Sequence, residues 1–476
     1  MPRRSLLAAL LLAVLGSGAA QVAPAVSAVP PVSSLPAGFS VPAGAGDSIY
    51  PALGTPGLDV THYDLSIRSD PRIDTLSGQA VLNITALSDL NQIALDFAGP
   101  TTSEVLLNDQ VARFAQVGEK LLILPSTPLK AGTRFTLGVT YQGTPALHLD
   151  LGLRLGWITQ DDASYTYSEP DAAHTYFPCN DLPADGASFT LHLDVPAGYT
   201  AVASGVQTGQ HSQNGRTVTD FDLPQETATY ALGIQVGRLD VVTRPRAGNV
   251  ALRDAFPTDT PPSVRAPFAR VADMLSVLTG WFGPYPFAVY GVALTHDPQL
   301  LALETATLST FPAREQGEEV GLHELAHQWF GDSVRLGDWS DVWLNEGFAT
   351  YAELLWAEHL GQDSRSLLRR WYTALMRQAA RPLVATAAPQ LFDSTSYQRG
   401  ALTLHVLRLK IGDASFRRVL QQYAASYAGR SARTADFLNV VREVSGQTAV
   451  DALQPWVSSP SLPPLPRILK KVLART

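Results

Sequence analysis

The spacing of hydrophobic residues divides the chain into two parts. Between Val60 and about Val242, apolar and polar residues alternate in short runs such as 63–68 and 80–84, and Gly, Pro, Asn and Asp separate these runs. Alternation with a period of two turns one face of each strand toward a core. The pattern therefore predicts an all-β domain built of antiparallel sheets. Further runs of this kind lie at 135–139, 189–195, 217–223 and 230–236.

After Arg246 the spacing of apolar residues becomes helical. We expect a helix over 264–282, which Gly283 and Pro284 end, and further helices over 401–411 and 434–444. The predicted fold class is α+β with several domains. An N-terminal antiparallel β domain precedes a mostly helical domain, and the boundary lies near residue 243.

The two ends of the chain have the composition of processing and linker segments. Residues 1–20 resemble a signal peptide, because Arg3 and Arg4 precede an apolar run from Leu6 to Leu15, and Gly18-Ala19-Ala20 fits a small-residue cleavage site. The apolar run is shorter than the roughly 20 residues that cross a bilayer, so we expect an exported protein without a membrane segment after removal of the leader. Residues 21–56 are rich in Pro and Ala and predict a linker, and residues 463–476 predict a tail.

Composition excludes several classes of protein. The chain has 476 residues, of which 45% are hydrophobic, and a formal net charge of -8. It is apolar enough to fold and too acidic for a nucleic-acid binder or a binder of anionic membranes. Cys179 is the single cysteine, which excludes an internal disulfide and a metal site built of thiolates. Any metal ion would need His, Asp and Glu ligands.

A His-Glu-x-x-His motif begins at His323 and supplies such ligands. Four residues advance an α-helix by about 400°, so His323 and His327 project from one face and can bind one zinc ion. Glu324 lies about 100° away around the helix, which suits contact with water at the metal better than ligation.

A catalytic zinc ion has three protein ligands and one open position. Glu346, in the stretch Trp343-Leu344-Asn345-Glu346-Gly347-Phe348-Ala349, follows His327 at an interval that allows a turn and the start of a second helix. We therefore predict a zinc site formed by His323, His327 and Glu346, with one Zn²⁺ per chain.

These two stretches resemble the zinc aminopeptidases related to membrane alanyl aminopeptidase and leukotriene hydrolase, which are gluzincin metallopeptidases. The match includes His323-Glu324-Leu325-Ala326-His327-Gln328-Trp329-Phe330-Gly331. The resemblance implies a saddle-like β domain over 57–242 and a thermolysin-like catalytic domain over 243–462. Larger members continue into a helical C-terminal domain, and we expect the short two-domain form without it.

The resemblance also implies three further site residues. Glu304, the residue kept from the family's Gly-x-Met-Glu-Asn segment, and Glu169 in Tyr167-Ser168-Glu169-Pro170 would bind the free α-amino group of the substrate. Tyr397, which precedes Gln398-Arg399-Gly400-Ala401, would be the catalytic tyrosine.

The predicted function is a zinc-dependent aminopeptidase that acts on peptides. Water at the zinc ion would be the nucleophile, Glu324 the general base, and Tyr397 a donor to the oxyanion. The main alternative is a zinc endopeptidase of the thermolysin type, which needs no ammonium anchor. A binding module with a structural zinc ion and an epoxide hydrolase are the other two alternatives.

Overall fold

The structure, a computed structural model, describes residues 35–297 and 300–465. The predicted leader at 1–20, the linker up to residue 34 and the tail from residue 466 lie outside the described residues. The described residues from Gly38 onward belong to one compact unit. Among the described helices, none combines the length and the apolar character that crossing a membrane requires.

The N-terminal half is built of β-strands, as the alternating pattern predicts. Its strands are β1 Leu58–Ser69, β2 Leu76–Ala86, β3 Ile93–Asp96, β4 Thr101–Leu107, β5 Gln110–Val111, β6 Arg113–Val117, β7 Lys120–Leu124, β8 Arg134–Gly143, β9 His148–Asp150, β10 Leu153–Gln160, β11 Ala163–Tyr167, β12 Ala187–Pro196, β13 Thr200–Ala203, β14 Val206–Gln213, β15 Arg216–Thr227 and β16 Ile234–Gly237.

These strands form three sheets. The largest has eight strands in the order β14-β15-β12-β1-β2-β8-β4-β5, beside a five-stranded sheet β13-β16-β11-β10-β9 and a three-stranded sheet β3-β7-β6. Most pairs are antiparallel, and β1 with β2 has Leu65 opposite Ala80. The exception within the large sheet is the parallel pair of β1 and β12, in which Leu65 lies opposite Leu191. A parallel pair needs a long connection, which the strands between β2 and β11 supply here.

The C-terminal half is mostly helical and also contains a mixed sheet. Its helices are α1 Pro262–Arg265, α2 Val271–Phe282, α3 Glu318–His327, α4 Trp343–His359, α5 Ser364–Leu375, α6 Gly400–Ile411, α7 Asp413–Ser426, α8 Thr434–Ser445 and α9 Gln447–Ser458. Its strands are β17 Leu239–Ala247, β18 Val250–Pro257, β19 Val289–Tyr290, β20 Val292–Thr295, β21 Ser309–Pro312, β22 Val334–Leu336 and β23 Arg430–Ala432. Strands β17 to β21 form one sheet.

Two predicted elements differ from the structure. The helix expected over 264–282 is interrupted by a 3₁₀ segment, Ala266–Arg270, between α1 and α2. Pro267 has no N–H to donate to a preceding carbonyl, which explains the interruption. Helix α2 then ends at Gly283, whose φ is 99°, as expected. The strand expected over 230–236 begins later, because Thr229–Ala231 forms a 3₁₀ turn before β16.

The last part of the predicted linker is bound to both halves of the molecule. The Asp47 carboxylate accepts a hydrogen bond from the main-chain N–H of Trp339 at 2.9 Å. The Tyr50 hydroxyl donates to Asp150 at 2.5 Å. Residues 47–50 are therefore bound to the folded body, whereas the composition of residues 21–56 predicts a linker. A composition rich in Pro and Ala does not reveal which side chains form specific hydrogen bonds.

Candidate active site

Helix α3 presents both histidines of the His-Glu-x-x-His motif to one space. The rings of His323 and His327 lie 4.9 Å apart between centroids. The main-chain carbonyl of Phe330 lies 3.1 Å from Nδ1 of His327, and Glu353 lies 2.9 Å from Nδ1 of His323. Since each Nδ1 has an acceptor, both Nε2 atoms are left to bind a metal ion.

Glu346 lies in the first turn of α4 and faces the two imidazoles. Its Oε2 atom is 3.2 Å from Nε2 of His323 and 3.6 Å from Nε2 of His327. The turn Trp339–Asp341 leads into this helix, and the Asp338 carboxylate stabilises that turn by accepting a hydrogen bond from the Ser340 N–H at 2.9 Å. The structure thus brings together the three ligands that the sequence predicts.

The spacing of these donor atoms fits zinc. Donors at the corners of a tetrahedron with metal bonds of about 2.0–2.1 Å lie about 3.3 Å from one another. One ligand atom from each of His323, His327 and Glu346 lies within 4.8 Å of the others, and all three residues are buried or nearly so. Two imidazole nitrogens and one carboxylate oxygen are also the donor set found in zinc hydrolases of the thermolysin type.

The charges of the site favour a cation at this position. Burial raises the pKa of Glu346, but the charges and hydrogen bonds of the two histidines outweigh it and lower that pKa to about 2. Burial lowers the pKa of His327, and the nearby carboxylates of Glu304 and Glu346 outweigh it and raise the pKa to about 9. Both shifts show that the site stabilises positive charge between its carboxylates, which is the charge that a divalent ion carries.

Glu353 is a residue that the sequence analysis missed. It lies on α4, two helical turns after Glu346, so both carboxylates project from the same face. This spacing is the signal that would have found it. A carboxylate that accepts from the second nitrogen of a histidine ligand fixes the orientation of the ring and increases its basicity.

Glu324 is buried, with 6% of its surface exposed, beside the ligands but outside the ligand set. One of its carboxylate oxygens lies within 4.8 Å of His327 and Glu304 ligand atoms. Burial raises its pKa to about 8, although the charges of His323 and His327 act in the opposite direction. A carboxyl group with a pKa near neutrality can both accept and release a proton.

Two further carboxylates complete an acidic pocket next to the ligand set. Glu169, which follows β11, and Glu304 have oxygens within 4.8 Å of one another and of Glu346. Glu304 lies next to β21, because Leu303 and Thr310 form an isolated antiparallel bridge. Burial raises the pKa of both Glu169 and Glu304, and neighbouring carboxylates add to the shift of Glu169. The pocket is suited to a cationic group.

The side chain of Gln328 fixes the backbone that carries Glu304. Its amide nitrogen donates to the Glu304 carbonyl at 3.2 Å, and its amide oxygen accepts from the Thr307 N–H at 2.7 Å. Gln328 directly follows the His-Glu-x-x-His motif and lies in the stretch that carries the family resemblance, but its role was not predicted.

Tyr397 approaches the same space from a π-helical turn, Thr395–Arg399. Its ring lies nearly parallel to that of His323, with centroids 5.8 Å apart and planes inclined by 20°. Burial raises the pKa of Tyr397 well above its usual range, so the hydroxyl keeps its proton and can donate it in a hydrogen bond. The structure therefore brings all seven predicted site residues to one place.

Glycines allow the elements that carry Tyr397 and Glu346 to approach closely. A Cβ atom added at Gly400 would lie 2.8 Å from the Cα atom of Gly347, closer than real Cβ contacts. Glycine is thus required where α6 meets α4.

Comparison with known protein families gives two matches. Residues 60–231 match the Peptidase M1 N-terminal domain, and residues 291–456 match the Peptidase family M1 domain. Together they span the β domain and the helical region that contains the site.

The chain is similar to several named aminopeptidases. It is 24% identical to endoplasmic reticulum aminopeptidase 1 of Rattus norvegicus over 80% of this chain and 46% of that one. It is 25% identical to leucyl aminopeptidase of Saccharolobus solfataricus over 79% of this chain and 50% of that one. The chain spans about half the length of these relatives.

The solved structures include neighbours of similar length. An M1 zinc metallopeptidase from Deinococcus radiodurans is 45% identical, with a TM-score of 0.86, over 89% of this chain and 99% of that one. A glutamate-to-alanine variant of the Deinococcus radiodurans enzyme, described as bound to a Tyr-Ser-Ala substrate, matches over the same shares, with the same identity and TM-score.

Proposed function

Because this chain belongs to peptidase family M1, we propose that it is a zinc-dependent aminopeptidase that removes the N-terminal residue of peptides with a free α-amino group. The observation that carries the proposal is the acidic pocket. Glu169 and Glu304 lie within 4.8 Å of Glu346, and therefore next to the metal ligands. A peptide whose ammonium group binds there presents its first peptide bond to the metal site.

His323, His327 and Glu346 would hold the zinc ion. When bound, zinc polarises the scissile carbonyl and lowers the pKa of water toward about 7. Glu324 accepts the proton of the attacking water and then donates a proton to the departing amine, a transfer that its pKa near 8 permits in both directions. The protonated hydroxyl of Tyr397 donates a hydrogen bond to the oxygen on which negative charge develops.

Glu304 and Glu169 account for the restriction to chain ends. Burial makes ionised carboxylates costly unless a cation pairs with them, and a substrate ammonium supplies that cation. The main chain of an internal peptide segment has no ammonium group to place in the pocket. The Deinococcus radiodurans neighbour described as bound to a Tyr-Ser-Ala substrate supports a peptide as the substrate here.

A comparison of free and N-acetylated leucine p-nitroanilide tests this proposal. We expect cleavage of the free form to be favoured roughly 100-fold or more, because acetylation leaves two buried carboxylates without a cation. Equal cleavage of the two compounds would contradict the proposal and indicate an endopeptidase without an ammonium anchor.

The Glu304→Gln variant tests whether Glu304 binds the α-ammonium group of the substrate. We expect KM for the free-amine substrate to rise roughly 10–100-fold, since a hydrogen bond to a charged group contributes about 1.5–3 kcal/mol. Glu315→Gln is the matched control, because Glu315 is exposed and lies close by in the sequence. An unchanged KM in Glu304→Gln would mean that another group binds the ammonium.

We also propose that the enzyme is exported, which the signal-like residues 1–20 support. Mass spectrometry of the protein from fractionated producer cells tests this proposal. We expect a mature chain that begins near Gln21 outside the cytoplasm. A chain that keeps its N-terminal residues and stays in the cytoplasmic fraction would contradict it.

A further inference from the structure

Arg399 is a buried arginine that the proposed mechanism does not use. Only 1% of its surface is exposed, and its guanidinium group is bound by main-chain carbonyls. Nε donates to the Trp456 carbonyl at 2.8 Å, and Nη2 donates to those of Ser459 at 2.8 Å and Pro455 at 3.3 Å. Nη1 donates to the carbonyl of Arg381.

Three of these four carbonyls lie at one place, the carboxyl end of α9. The Pro455 carbonyl also accepts from the Ser459 N–H at 3.2 Å, but the carbonyls that follow it are those that a helix leaves without an intrahelical partner. The helix dipole gives this end a partial negative charge. A cation that binds there is stabilised without a carboxylate partner. Arg399 therefore caps α9 from outside that helix.

Arg399 is also the last residue of the π-helical turn that carries Tyr397. The main-chain N–H of Tyr397 makes a long hydrogen bond of 3.4 Å to the carbonyl of Asp393, which precedes the turn. Because π-helical turns are rare, neighbouring structure has to hold them. The contact of Gly400 with Gly347 holds one side of the turn against α4, and Arg399 holds the other side against α9.

We infer that Arg399 is a positioning residue for Tyr397, since it ties the turn of the tyrosine to the carboxyl end of α9 and so sets the phenol against His323. This inference rests on the proposed function, in which Tyr397 donates to the oxyanion. Loss of Arg399 should lower kcat through a displaced hydroxyl. KM should change little, because Glu304 and Glu169 bind the ammonium from other elements.

A double-mutant cycle with Arg399→Met and Tyr397→Phe tests the inference. We expect Tyr397→Phe to lower kcat by roughly 10²–10³-fold, as for other oxyanion donors. In the presence of Tyr397, Arg399→Met should lower kcat by up to about 100-fold, which is what a displacement of about 1 Å can cost. In the Tyr397→Phe background it should lower kcat less than about twofold, since the group that it positions is already gone.

Two further variants separate positioning from folding. Arg399→Lys keeps the charge and one donor group, and should restore part of the lost kcat. Arg408→Met, on α6, removes an arginine that pairs with Glu358 at 2.8 Å, and should leave kcat unchanged. Thermal denaturation of every variant shows which of them are folded.

Several outcomes would overturn the inference. If Arg399→Met lowered kcat equally in the presence of Tyr397 and in the Tyr397→Phe background, Arg399 would act on the whole site and not through Tyr397. If Arg399→Met left kcat unchanged with Tyr397 present, Arg399 would have no positioning role. Absence of turnover in the unmutated protein would refute the proposed function instead. In that case amide hydrogen exchange decides the inference, which predicts faster exchange of residues 395–399 in Arg399→Met and unchanged exchange in α3. Unchanged exchange at 395–399 would refute it.

Discussion

Replacement of Glu324 by glutamine should lower kcat by roughly 10²–10⁴-fold while zinc stays bound. Glutamine has nearly the same shape, but it cannot accept the proton of the attacking water. The fold should tolerate the change, because Glu324 is buried with a pKa raised to about 8, so a neutral side chain suits its surroundings. KM should change little, since the ammonium pocket is formed by Glu169 and Glu304.

The measurement combines steady-state kinetics on leucine p-nitroanilide with zinc content by elemental analysis. Glu318→Gln is the matched control, because Glu318 lies on the same helix and pairs with Arg270 at 3.5 Å rather than facing the site. Substantial turnover in a zinc-loaded Glu324→Gln protein would remove Glu324 from the role of general base.

Substitutions of two acids on α4 should weaken zinc binding to different degrees. Glu346→Ala should cost more than about 100-fold in affinity, because it removes one of three ligands, and activity should disappear with the metal. Glu353→Gln should cost roughly 10–100-fold, as for other residues that orient a histidine ligand. His323 keeps its ligand atom in the second variant but loses the carboxylate that orients its ring.

Titration of zinc against a competing chelator measures both affinities. Glu358→Gln is the matched control, because Glu358 lies on the same helix and pairs with Arg408 rather than with a histidine. If Glu346→Ala bound zinc as tightly as the unmutated chain, Glu346 would not be a zinc ligand. An effect of Glu353→Gln as large as that of Glu346→Ala would indicate that Glu353 binds the metal directly.

The spacing of residues within short segments predicted the strands of the β domain and the relative placement of the two histidines. The β domain follows from period-two alternation, and the pairing of His323 with His327 follows from helix geometry. The helix over 264–282 was wrong in one place, because the pattern of apolar residues continues across Pro267 although its missing N–H breaks the α-helix.

Contacts between distant parts of the chain were beyond such patterns. Spacing alone did not indicate that Asp47 binds the Trp339 backbone or that Arg399 binds the end of α9, since both contacts join segments far apart in sequence. Glu169 and Glu304 were named from a family resemblance, and the structure adds the distance between them. Glu353 could have been predicted from the sequence, because its helical spacing from Glu346 places both residues on one face of α4.

Anomalous diffraction at the zinc absorption edge, from crystals grown with stoichiometric zinc, shows directly whether His323, His327 and Glu346 bind the metal. We expect one strong peak per chain, about 2.0–2.1 Å from Nε2 of both His323 and His327 and at bonding distance from the Glu346 carboxylate. A map without a peak between these three residues, or with the metal bound only elsewhere, would contradict it.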